Sequence, residues 1–152
     1  MNILHVYRTY FPDGPGGLQE AIRQIAYSTT SLGHENRIYS LTSNDTGKIE
    51  LFEGTVVRAK SWLSIASCDL GLYGSYKLFK EECDWADIIH YHFPWPFSDF
   101  LHMVVKPNNP SVMTYHSDIV DKGMLGKLYE PLKKKMLGSV NAIVATSPDY
   151  MH

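Results

Sequence analysis

The run from Asn2 to Arg8 is apolar from almost the first residue, which suits a strand buried in a parallel sheet. Two prolines and three glycines between Tyr10 and Gly17 then predict a loop. Leu18, Ile22, Ile25, Ala26 and Leu32 recur at helical spacing, and Gly33-His34 supplies the stop. The pattern next predicts strands over 36–42 and 55–60, a mixed stretch over 61–74 with no assignable element, and a helix over 76–83. β-type residues over 87–92 predict another strand, followed by the turn Pro94-Trp95-Pro96 and a helix over 98–105. A strand over 111–116, a helix over 123–137 and a strand over 142–146 complete the series, and Ser147-Pro148-Asp149 reads as a further helix start. Six strands alternating with helices predict an α/β fold, a Rossmann-like doubly wound parallel sheet. A chain that stops just after a helix-start signal is expected to be a piece of something longer.

Composition narrows the classes. The 152 residues fit one domain at roughly 150 residues per domain. With 44% hydrophobic and 20% charged residues, apolar surface is ample and a disordered chain is excluded. A net charge of −2 argues against a general nucleic-acid binder, which carries a basic face. Cys68 and Cys83 have no CxxC spacing, so neither a disulfide framework nor a cysteine zinc site is expected, and a reducing compartment is the simpler reading. No basic leader precedes the first apolar run, and no window reaches the ~20 apolar residues of a spanning helix. The expectation is a soluble, cytoplasmic protein whose membrane contact is at most peripheral.

Ligands of open parallel sheets bind beyond the carboxyl ends of the strands, and four places there carry candidate chemistry. In Gly14-Pro15-Gly16-Gly17-Leu18-Gln19-Glu20 the glycines permit close backbone approach, and free amides at a helix start attract an anion such as a phosphate. A flexible turn is the plainer reading. The loop is no dinucleotide fingerprint, because Gln19 replaces the third glycine and the loop leaves the strand some six residues early. His90 and His92 on one strand point to one face and permit a metal, a pocket wall near an acceptor or core packing; no third ligand is tied to them by spacing. Thr114-Tyr115-His116-Ser117-Asp118 ends a strand in polar residues, where His116 can hydrogen-bond a sugar hydroxyl and Ser117 or Asp118 can do the same or cap a helix. Finally, residues 119–138 hold Lys122, Lys127, Lys133, Lys134 and Lys135 against Asp121 and Glu130, with apolar stripes between. Such a basic amphipathic helix suits either an anionic bilayer or the sheet of its own domain.

The segments "MNILHVYRTYFPDGPGGLQEAIRQIAYSTTSLGHE", "ADIIHYHFPWP", "PSVMTYHSDIV" and "VNAIVATSPDY" stand in an order and spacing that resembles the N-terminal domain of the family 4 glycosyltransferases. The resemblance covers nearly the whole chain and is most similar to bacterial enzymes that add mannose, rhamnose or similar sugars to surface polysaccharide precursors. It implies a GT-B architecture, with residues 1–152 as the acceptor-side half and the nucleotide-sugar half absent. It also implies retention of configuration and no metal or other cofactor. On this resemblance Gly16 and Gly17 lie against the donor diphosphate, His116 contacts the transferred sugar as the catalytic residue, and Asp118 follows it as in related "HSD" members. His92, Trp95 and Ser117 join Asp118 as expected sugar or acceptor contacts, and Lys133, Lys134 and Lys135 are the expected membrane contacts. The expected partners are a nucleotide sugar, a saccharide or lipid-linked acceptor and an anionic membrane surface, without nucleic acid.

One departure from the family pattern is informative. The glutamate pair, separated by seven residues, that marks the family's nucleotide-sugar site is absent here, so these residues alone are expected to be inactive. Tyr91, Trp95 and Phe97 offer an aromatic cluster that suits a sugar face or a core equally. Two rival classes remain at this level: a non-catalytic module that grips an anion or membrane, and a nicotinamide oxidoreductase. The second is disfavoured by Leu41-Thr42-Ser43, which puts no acidic residue at the end of the second strand.

Overall fold

The computed structural model describes residues 1–65, 68–119 and 123–150. In chain order these form β1 (Asn2–Val6), α1 (Gly17–Ser31), β2 (Glu35–Thr42), β3 (Gly47–Leu51), β4 (Gly54–Ile65) and β5 (Cys68–Gly71). Then come α2 (Tyr73–Trp85), β6 (Ile88–Phe93), α3 (Pro96–Val105), β7 (Ser111–Tyr115), α4 (Gly123–Ser139) and β8 (Ala142–Ala145), closed by a 3₁₀ turn at Pro148–Tyr150. The sheet order is β3-β4-β2-β1-β6-β7-β8, with β5 paired to β4 alone. β4, β2, β1, β6, β7 and β8 run parallel. The chain is therefore an α/β domain with a Rossmann-like, mostly parallel sheet.

Alternate residues of the strands serve different helices. On β2, the Asn36 amide donates to the Ala26 carbonyl of α1, whereas the Tyr39 hydroxyl donates to the Ser75 carbonyl of α2. Helices thus cover both faces, as a doubly wound sheet requires. Leu4, Val6, Tyr39, Leu41, Ile89, Tyr91 and Phe93 pack with Phe79, Trp95 and Leu101 in one buried cluster. Each such side chain contributes roughly 1.5–3 kcal/mol through burial. Gly54 needs its missing side chain: at φ 150° a Cβ would run into the Asn36 carbonyl.

The six parallel strands are the six expected from the pattern, but β3 and β5 were not expected. Both pair antiparallel with β4. β3 is an edge strand with only Ile49 and Leu51 as apolar residues, and β5 is half-exposed throughout, so neither leaves a buried period to read. The unassigned stretch holds the end of β4, β5 and the start of α2, with residues 66 and 67 outside the described residues. The final helix start is realised as the 3₁₀ turn.

Candidate active site

The loop after β1 is pinned on three sides. Gln19, buried in the first turn of α1, donates to Thr9 Oγ1 at 2.9 Å. Fully buried Tyr10 donates to Glu53 Oε1 at 2.8 Å, a carboxylate that Arg23 also reaches at 3.2 Å. Asp13 accepts from Arg58 at 3.0 Å and from Asn44 at 2.9 Å. Between these anchors Gly16 and Gly17 stay exposed. Gly16 is the N-cap, in extended backbone, and no side chain caps the helix, so the first-turn amides are open. Nothing lies within 4 Å of where a Gly17 Cβ would stand.

Across the sheet runs a diagonal of polar side chains that apolar strands would not be expected to carry. Asn36 of β2 accepts from His5 Nε2 of β1 at 3.0 Å, and His5 Nδ1 shares a hydrogen bond with His92 Nε2 of β6 at 3.1 Å. His92 Nδ1 in turn meets His116 Nε2, just past β7, at 3.0 Å. Each step moves one strand over and two residues toward the carboxyl edge, because Asn36 pairs with Ile3, His5 with His90, and His92 with Thr114. His90 stacks on His92 with ring centres 4.2 Å apart and bonds Thr114 Oγ1 at 2.7 Å.

Burial drives these rings neutral. It lowers His5 to about 4 against the opposing pull of Asn36. It lowers His90 to about 3, helped by the charges of His5 and His116. His92 falls well below the usual histidine value for the same reason, with His90, His5 and His116 adding to it, and half-buried His116 is lowered by burial. His5, His90 and His92 each offer a ring nitrogen within 4.8 Å of the others, so they are the residues that could gather round a cation. Their nitrogens already serve His92, Asn36 and Thr114 as hydrogen-bond partners.

An apolar pocket of about 360 Å³ opens between Tyr7, Leu70, Pro94, Ile119, Leu125 and Tyr129, where the ends of β1 and β6 meet the paired strands β4 and β5 and α4. α4 is tied to α3 beneath it. The Tyr129 hydroxyl donates to buried Asp99, and burial pushes that carboxyl up to about 7.

The glycosyltransferase family 4 sequence profile matches residues 15–151. The chain belongs to glycosyltransferase family 4. It is 43% identical over 151 residues to the D-rhamnosyltransferase WbpZ of Pseudomonas aeruginosa. It is 41% identical over 152 residues to the O-antigen chain mannosyltransferase C of Escherichia coli. Each match covers 99% of this chain but only 39% and 41% of the relatives, so the chain spans about two fifths of their length.

In this family 4 domain the residues expected at the site part company. Gly16, Gly17, Ser117 and Asp118 are exposed, and His116 is half-buried at the carboxyl edge. Asp118 accepts from the Tyr115 hydroxyl and from the Ile119 amide, both at 2.9 Å. Trp95 corrects the expectation of a sugar contact: it is fully buried, its indole N–H donating to the Asp69 carbonyl at 2.9 Å. His92 is likewise corrected, since at 1% exposure it touches His5 and His116 and no solvent-borne sugar. Tyr91 and Phe97 join Trp95 in the core. Of the basic helix, Lys134 and Lys135 are exposed, whereas Lys133 is 18% exposed and held by Glu130 at 2.9 Å. Asp121 and Lys122 lie outside the described residues. His5 and Asn36 were missed by sequence reasoning. Their signal was thin: His5 is the one polar residue of the run Ile3–Val6, and Asn36 lies among the three polar residues that open β2, so neither marks a shared site.

Proposed function

We propose that this chain is the acceptor-side domain of a retaining glycosyltransferase that moves a mannosyl, rhamnosyl or related hexosyl unit from a nucleotide sugar to a lipid-linked saccharide. A second Rossmann-like half, outside these residues, holds most of the donor. Cleaving the sugar–phosphate bond puts positive charge on the sugar and negative charge on the departing diphosphate, and fixed dipoles aimed at that charge lower the barrier. The open amides at Gly16 and Gly17 serve the diphosphate side. His116 holds a sugar hydroxyl and orients the anomeric carbon, with Ser117 and Asp118 beside it for further hydroxyls. The acceptor hydroxyl forms the new C–O bond as the C–O bond to phosphate breaks, and its proton passes to the leaving phosphate oxygen. No sugar–enzyme bond is needed.

The observation that carries this reading is the placement, in a family 4 chain, of half-buried His116 and an uncapped glycine helix start at the carboxyl ends of parallel strands. The apolar pocket past the ends of β1 and β6 suits the lipid end of an acceptor. Exposed Met124, Leu125 and Leu128 with Lys134 and Lys135 suit the cytoplasmic face of an anionic membrane. The test is sugar transfer by the full-length enzyme: His116→Ala is expected to lower kcat about 100-fold, and residues 1–152 alone are expected not to turn over. An unchanged rate removes His116 from the mechanism.

A further inference from the structure

The direction of each hydrogen bond in the histidine diagonal follows from its inner end. Asn36 Nδ2 has two protons. One goes to the Ala26 carbonyl at 3.0 Å, which can only accept. The other goes to Thr30 Oγ1 at 2.9 Å, whose own proton is donated to the Glu53 carbonyl. The amide is therefore oriented with Oδ1 toward His5, and His5 Nε2 must carry the proton of that bond. A neutral ring with its proton on Nε2 has a bare Nδ1, so His92 Nε2 is the donor of the next bond. The same logic leaves His92 Nδ1 bare and makes His116 Nε2 the donor to it. One nitrogen remains. His116 Nδ1 has no hydrogen-bond partner among the described residues, and it is not among the buried polar atoms without one, which there are Ser40 Oγ and Arg58 Nε; it therefore meets solvent.

We propose that Asn36, acting through His5 and His92, is a positioning residue that locks His116 in the Nε2–H tautomer and presents its Nδ1 lone pair as an acceptor for a hydroxyl. The line is not a route for protons out of the site, because its far end is an amide oxygen that takes no proton. It is a polarity lock spanning four adjacent strands. On the proposed function, which the use of this lock rests on, His116 thereby accepts from a hydroxyl of the bound sugar and holds that hydroxyl in one orientation. A sugar lacking a hydroxyl there forfeits the bond.

The test is long-range 1H–15N NMR at pH 7.5 on the full-length protein with 15N-labelled histidine rings, His116 being assigned by its loss in His116→Gln. The expected result is a neutral His116 with Nε2 protonated and Nδ1 bare, and the same state in His5 and His92. A measurable Nδ1–H population of His116 overturns the proposal. Asn36→Leu removes the oxygen that fixes the His5 proton on Nε2, so His5 can donate from Nδ1 instead, the later bonds reverse and an Nδ1–H population of His116 should emerge. Should that variant not fold, His92→Phe cuts the line, and an Nδ1–H population of His116 should emerge. Retention of pure Nε2–H in either variant overturns the proposal. The measurement needs no sugar, so it is independent of whether His116→Ala slows transfer. That second result decides the sugar contact alone.

Discussion

Neutrality at physiological pH is shared by His5, His90 and His92, and its cost appears only in acid. In the unfolded chain each titrates near 6.5, while in the folded chain burial lowers His5 to about 4 and His90 to about 3. Their effect on stability is nil above about pH 7. As pH falls from ~6.5 toward ~4 the unfolded state alone takes up protons, and each ring removes about 1.4 kcal/mol per pH unit. Asp99 works in the opposite sense. Its folded value of about 7 lies above the unfolded carboxylate range, so its contribution fades as pH rises from ~4 to 7. Urea unfolding at pH 7.5, 6 and 5 should therefore show steeper acid loss in Asp99→Asn than in the parent. An identical or shallower slope would show that Asp99 does not offset the histidines. At this scale the sequence showed that His116 ends a strand and that His90 and His92 share a face. It did not show that Trp95 is a core residue, because an aromatic beside two prolines suits an exposed turn as well as a packed one.

Among the elements, α1 and α4 allow the sharpest tests. Gly17 sits at the open start of α1 with nothing near its missing side chain. Gly17→Ala should leave thermal stability within ~1 kcal/mol and, on the proposed function, raise KM of the full-length enzyme for the nucleotide sugar, because the added methyl would crowd a diphosphate at the open amides. An unaltered KM would place the donor elsewhere. α4 depends on its link to α3: among the described residues, Tyr129→Phe leaves the buried Asp99 carboxyl with Ser98 as its remaining hydrogen-bond partner, at 3.4 Å. A loss of about 1–3 kcal/mol is expected, read as faster amide exchange across 123–139 than in the rest of the sheet and helices. Uniform exchange would show that packing, not this bond, holds α4. The parallel strands and helices were legible because buried periodicity marks them. β3 and β5 were not, since strands that stabilise mainly by pairing with β4 need no apolar face of their own.

For the whole molecule, the charge relevant to a membrane is narrower than the lysine count suggests. Lys133 leans on Glu130 at 2.9 Å, while Lys134, 4.0 Å from the same carboxylate, and Lys135 face solvent. At about 1 kcal/mol per lysine near an anionic surface, Lys134→Gln with Lys135→Gln should weaken full-length protein binding to phosphatidylserine vesicles by roughly tenfold or more at low salt. Lys133→Gln should change it little. Binding indifferent to all three would remove α4 from the membrane contact.

Residue order and apolar period alone determined that this is a parallel α/β domain, and the four segments in register pointed to its family, because burial on both faces of a strand leaves a mark in every residue of it. Which polar residues act together was decided only by the tertiary structure. Asn36, His5, His92 and His116 are far apart in the chain and are joined solely by strand order and register, and a hydrogen bond depends on a distance of about 3 Å that no local pattern encodes.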